Sequence, residues 1–119
     1  MNDHEPSRLE HSFTCPASHI QRGAARPSAQ ALARARGNFK NLMATQPDLQ
    51  VWIVVNAQAV QAVLDQPEDM GPALERVLLC PNTLKNNGIT APAHIQVLPM
   101  GAVEAIARMQ HQGWIYIRS

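Results

Sequence analysis

Cys80 is the residue whose setting most favours chemistry. It ends the apolar run Arg76–Cys80 (RVLLC) and stands directly before Pro81. That order predicts a buried strand delivering a thiol to the start of a helix, the edge at which open α/β sheets place their ligand sites. Backbone N–H groups at a helix start carry partial positive charge and favour a thiolate or persulfide anion. Proline at the first helical position leaves that field mostly intact, because its missing donor would be unpaired anyway. Cysteine is also a common small buried hydrophobe, and on spacing alone packing competes with reactivity at this position. Asn82 and Thr83 are placed to orient a bound sulfur species or anion, or simply to cap the helix. Asn56, at the end of the run Gln50–Val55 (QVWIVV), reaches the same sheet edge if the two strands are parallel. It reads either as pocket wall or as an ordinary turn residue.

The other reactive side chains form no pattern. Cys15 precedes Pro16 and has no C-x-x-C spacing to Cys80, so it reads as a spectator thiol. The histidines at 4, 11, 19, 94 and 111 lack metal-ligand spacing, and neither a metal nor another cofactor is expected. His111 has its own explanation at a helix C-terminus. There is no G-x-S-x-G, no Walker loop and no G-x-G-x-x-G, so hydrolase, triphosphate and dinucleotide readings lack motifs.

The elements that must position Cys80 follow from periodicity. Ser28 after Pro27 predicts a helix start, with Leu32, Ala35, Phe39, Leu42 and Met43 on one face and Arg34, Arg36 and Lys40 toward water. Pro47 ends it. Gln50–Val55 is β-branched and nearly all apolar, the signature of a strand covered on both faces. Asn56–Asp65 returns to helical spacing, and the Pro67–Pro72 stretch reads as a turn. Pro81 opens a short helix stopped by Gly88, and Ile95–Leu98 reads as a third strand. Ala102–Gln112 is a helix with Val103, Ile106, Ala107 and Met109 as its apolar face, and Gly113 is its left-handed cap. Trp114–Ile117 is the last strand, and the alternation of Trp114 and Tyr116 suits core or subunit packing. Strands alternating with helices predict an α/β fold: three layers, αβα, over a mostly parallel sheet of four to five strands, flavodoxin-like or Rossmann-like.

Met1–Pro27 differs from the rest. It holds three prolines and three of the five histidines, and only Leu9–Cys15 resembles a strand. It reads as a tail or a weak first strand, which leaves residues 28–119 as the patterned α/β domain. The chain has 119 residues, 45% apolar and 16% charged, with a formal net charge of +1. Such a chain buries roughly two-thirds of its unfolded surface in one core. The weak charge and five aromatic residues argue against nucleic acid as a partner. Two cysteines, no signal-peptide pattern and no apolar run near the roughly 20 residues of a membrane span predict a soluble, cytoplasmic protein without a membrane partner.

Cys80-Pro81-Asn82-Thr83-Leu84, Gly88-Ile89, Val97-Leu98-Pro99, Gly101-Ala102-Val103, Met109-Gln110 and Gly113-Trp114-Ile115-Tyr116-Ile117 follow one another in an order that resembles the DsrE-like family. Upstream, Ala31-Leu32, Asn38-Phe39-Lys40-Asn41-Leu42 and the Val51–Val55 strand extend the resemblance, which covers roughly residues 28–119. It implies a small α/β protein of sulfur oxidation or sulfur relay, a tendency to homo- or hetero-oligomers, and a persulfide-carrying cysteine that maps onto Cys80. It also implies a strong strand before the first helix, where this chain has the polar Met1–Pro27, and a longer stretch than the one between Asp65 and Val77, where only a short helical turn at Ala73–Glu75 fits. Both departures reduce the cover of the sheet and favour association with another chain.

Three functions are therefore expected of this sequence. The first is a cytoplasmic sulfur-relay or thiol-carrier protein using Cys80, with Asn56, Asn82 and Thr83 around the sulfur and protein sulfur donors and acceptors as partners. The second is a non-catalytic homo-oligomeric binding or assembly module in which Cys80 only packs. The third is a small-anion or nucleotide-binding domain at the sheet edge. Whether any of them involves enzymatic turnover is left open by the residues.

Overall fold

A computed structural model describes residues 11–15 and 28–118. Of the divergent N-terminal stretch, only His11–Cys15 falls among them. The element order is β1 (His11–Cys15), α1 (Ser28–Thr45), β2 (Gln50–Val55), α2 (Gln58–Asp65), a 3-10 segment (Pro67–Arg76), β3 (Val77–Leu79), α3 (Pro81–Asn86), β4 (Gln96–Val97), α4 (Ala102–His111) and β5 (Ile115–Arg118). This is a mixed α/β domain with a parallel sheet, and the strands lie in the order β4-β3-β2-β1-β5. Every pairing is parallel. β1 is an interior strand, with β2 on one side and β5 on the other. Because all strands point the same way, the β2–α2, β3–α3 and β4–α4 loops emerge along one edge.

Alternation along the strands builds two apolar faces. Ile53 and Val55 of β2 join Val77 and Leu79 of β3 in one cluster, with Leu32 and Ala35 of α1, Val60 and Val63 of α2, and Met70 and Ala73 of the 3-10 segment. Val54 points the other way and joins Cys80, Leu98, Ala102 and Ala105. Around that second cluster Trp52, Leu78, Met109, Trp114 and Tyr116 are only partly buried. The guanidinium of Arg76 lies 5.2 Å from the centre of the Trp52 ring, a cation–π contact.

Several local expectations change. The Pro67–Pro72 turn is part of a ten-residue 3-10 segment, split where Gly71 takes φ 56° and ψ −137°. Strand Ile95–Leu98 shrinks to Gln96 and Val97, both exposed, while flanking Ile95 and Leu98 are buried. Pairing here involves one neighbour, β3, so a two-residue ladder anchors the edge. The apolar face assigned to α4 is also rotated. Val103 is 73% exposed and Ala107 is exposed, whereas Ala102 and Ala105 are buried and Ile106 and Met109 half-buried. Alanine carries no side-chain bulk, so the row Ala102–Ala105 lets α4 approach the sheet closely. Apolar periodicity weighted toward larger residues selects the wrong face. Helix α2 begins at Gln58, two residues after Asn56, because Ala57 has a non-helical backbone.

Candidate functional site

The three loops at the carboxyl edge meet around Cys80. Leu79 pairs with Val55, and the Cys80 N–H donates to the Val55 carbonyl at 2.9 Å, so β3 hands Cys80 over in line with the end of β2. Cys80 has extended backbone angles (φ −73°, ψ 120°) and serves as N-cap of α3, with Pro81 in the first helical position. Its thiol is free and buried, with 5% of the residue exposed. The Ala102 N–H, at the first turn of α4, donates to Cys80 Sγ at 3.4 Å. Burial pushes the Cys80 thiol up, but the Thr83 and Ala102 amides, the Thr83 hydroxyl and the Asn82 amide pull it down more strongly, and it lies below its ordinary value. The thiolate is thus favoured by backbone dipoles rather than by a cationic side chain.

Thr83 ties the loops together. The Ala57 N–H donates to Thr83 Oγ1 at 3.0 Å, across from the β2–α2 loop. Accepting that bond leaves the Thr83 hydroxyl hydrogen available to the sulfur. Asn82 is exposed and lies against the β4–α4 loop, where a Cβ at Gly101 would stand 2.6 Å from Asn82 Nδ2. Glycine at 101 therefore gives this amide its place. Asn56 is half-buried, and its Oδ1 is fully buried with no hydrogen-bond partner. Leaving such an acceptor unpaired costs about 1–3 kcal/mol.

Of the four residues singled out from the sequence, Cys80 caps α3, Asn82 and Thr83 lie in its first turn, and Asn56 stands in the neighbouring β2–α2 loop, next to the Ala57 N–H that bonds Thr83. Sequence reading missed Ala57, Gly101 and Ala102. They act through backbone groups or through the lack of a side chain, which residue-type patterns do not register; a glycine just before a helix was the one available signal, at Gly101. Cys15 lies in β1, but its side chain is outside the described residues. Among the described residues no cluster of three or more His, Cys, Asp and Glu is arranged to hold a metal. No helix among them is long and apolar enough to cross a membrane.

Ala57 has φ 53° and ψ −136°, nearly the angles that Gly71 adopts. A non-glycine residue there stores strain on the order of 1–3 kcal/mol. Ala57→Gly relieves it and returns roughly 0.4–1 kcal/mol as unfolded-state entropy. The variant is expected to gain about 1 kcal/mol in unfolding free energy. A urea titration reads this as a higher midpoint at unchanged slope.

A cleft of about 400 Å³ lies elsewhere, between α1, α2 and the 3-10 segment, lined by Leu32, Arg36, Asp65, Asp69 and Met70 among others. Arg36 Nη1 donates to the Asp69 carbonyl at 2.8 Å there. Among the described residues it shares none with the loop cluster, and no cysteine lines it. In comparison with known proteins, no family model and no curated protein matches the chain.

Proposed function

We propose that the protein is a small cytoplasmic sulfur-relay or thiol-carrier protein of the DsrE-like type, folded as three αβα layers in the flavodoxin or Rossmann manner, with Cys80 as the residue that carries a persulfide. The observation that carries this reading is the enclosed Cys80 sulfur, held by the Ala102 N–H at 3.4 Å at the sheet's carboxyl edge. A carrier needs an acidified sulfur, shelter from other thiols and a partner's access from one side. The geometry supplies backbone donors for the first and burial for the second. Exposed Asn82 marks the open side.

In the loading step, the Cys80 thiolate attacks the sulfane sulfur of a donor persulfide R–S–SH. A Cys80–S bond forms, the donor S–S bond breaks, and the donor leaves as R–S⁻, which takes a proton from water. The product is Cys80–S–SH. No net oxidation accompanies this exchange, and no cofactor is required. In this reading Asn82 and Thr83 hold the sulfur, Thr83 orienting its hydroxyl through the Ala57 bond, and Asn56 stands at the end of the neighbouring strand.

Incubation with a small persulfide donor followed by intact-mass spectrometry tests the reading. The expected result is a gain of one sulfur on the wild-type chain and none at this position on Cys80→Ser, which retains Cys15 as an internal control. No gain on wild type, or equal gain on Cys80→Ser, overturns it. That outcome would favour the second reading, an oligomeric binding or assembly module with a structural Cys80. One observation supports this alternative: Trp52, Leu78, Trp114 and Tyr116 remain only partly buried on a single face of the sheet.

A further inference from the structure

The buried oxygen of Asn56 has no part in the loading chemistry. Its position is set by register. Val55 pairs with Leu79, so Asn56 and Cys80 are the next residues along two neighbouring parallel strands. Strand alternation carries both to the face that Val54 and Leu78 occupy, and Cys80 packs in the same cluster as Val54. Adjacent strands are about 4.8 Å apart. Yet Asn56 Oδ1 has no partner, so the Cys80 thiol itself does not reach it. A second sulfur added to Cys80 extends the side chain by about 2.05 Å.

We infer that Asn56 Oδ1 accepts a hydrogen bond from the outer sulfur of a Cys80 hydropersulfide and so holds it in its protonated, sulfur-donating form. The inference rests on the sulfur-relay reading and assigns the second half of that cycle. In Cys80–S–SH the outer sulfur is electrophilic when it bears its proton. An acceptor thiolate R′–S⁻ attacks it, an S–S bond to the acceptor forms and the Cys80 S–S bond breaks. The electron pair stays on Cys80 Sγ, which the Ala102 N–H receives, and the product R′–S–SH carries the proton. The two protein groups divide the work: the amide oxygen of Asn56 keeps the outer sulfur neutral, and the backbone N–H of Ala102 donates to the inner one as it leaves as a thiolate. The titratable groups on the elements around the site are Asp65 of α2, Lys85 of α3, and Glu104, Arg108 and His111 of α4. All are exposed, so water screens them. Arg76, just before β3, is half-buried against Trp52.

The test loads wild type and Asn56→Ala with a small persulfide donor, confirms one added sulfur by mass, and follows cyanolysis against pH. Cyanide takes the outer sulfur as thiocyanate and returns Cys80 as a thiol. The two rates are expected to agree in acid, where both persulfides are protonated, and Asn56→Ala to fall about fivefold behind as pH rises, the factor one ordinary hydrogen bond supplies. Superimposable profiles at equal loading overturn the inference and leave the relay reading standing. No added sulfur on wild type overturns both. Wild type alone provides a second measure that needs no variant. Loading is expected to raise its melting temperature in acid, by giving the buried oxygen its partner, and the gain should vanish as the persulfide ionises. Equal melting temperatures with and without sulfur at every pH overturn the inference.

Discussion

Ile53→Ala is expected to cost about 2–5 kcal/mol of unfolding free energy. Ile53 is fully buried in the middle of β2, pairs with Thr14 and Val77 on its two sides, and packs in the larger of the two apolar clusters. Three carbons are removed at a place where the surrounding residues belong to rigid strands and to helices already in contact, so collapse into the space is restricted. Native domains of this size are stable by about 5–15 kcal/mol, and a loss in this range removes a large part of the margin. Equilibrium urea denaturation checks it: the midpoint should drop sharply while the slope holds. Val103→Ala is the contrasting control on α4, since its side chain is mostly in water and its change should stay within about 0.5 kcal/mol.

The second large effect is on the acidity of Cys80. Alkylation of the folded chain, normalised to its own alkaline plateau, is expected to reach half-maximum at lower pH than alkylation of the unfolded chain, whose thiols titrate near 8.5. Burial opposes this and the amides of Thr83, Ala102 and Asn82 with the Thr83 hydroxyl prevail. Burial still slows the absolute rate, so the position of the curve, and not its height, carries the result. Thr83→Val removes the hydroxyl and should move the curve upward in pH. The same acidity is a stability term. A folded-state value below the unfolded one means that the unfolded chain binds more protons between the two. The contribution is fully present above the unfolded value and is lost as pH falls through the folded one. The stability difference between wild type and Cys80→Ser should therefore widen as pH rises through that window. A curve for the folded thiol at or above that of the unfolded chain would return Cys80 to a packing role.

Much of this arrangement was legible in the residues, and the part that was not has a physical pattern. Gln50–Val55 reads as a two-sided strand because β-branched residues fill both of its faces, and it is β2 to the residue. Pro81 and Gly88 bound α3 as local backbone chemistry dictates, and Gly113 takes φ 98° just after α4. Local rules fail where a tertiary neighbour decides. His11–Cys15 has little strand character of its own, yet it is flanked by two apolar strands, β2 and β5, whose ladders supply what its sequence lacks. Helix α4 turns its alanines inward because Ala102 must reach Cys80, a contact between residues 22 apart. Of the site, the side chains that carry chemistry were visible by type and place. The strained Ala57 was invisible and Gly101 showed only as a glycine before a helix, since their contribution is a backbone direction and an empty volume.

The strand order has a consequence in time. Ser12 is in register with Ile115, about a hundred residues later, while β1, β2 and β3 each neighbour the next strand in sequence. During synthesis the β1–β2–β3–β4 side can assemble as it emerges, but β1 keeps one raw edge until residues 115–118 have left the ribosome. Pairing of β5 with β1, the sheet's contact of longest sequence separation, therefore belongs among the late events of folding. For that interval the growing chain presents an unpaired strand edge, a template for any other extended segment nearby. Shelter of the nascent chain, more than the strength of the finished core, would then set how much of it reaches the native state.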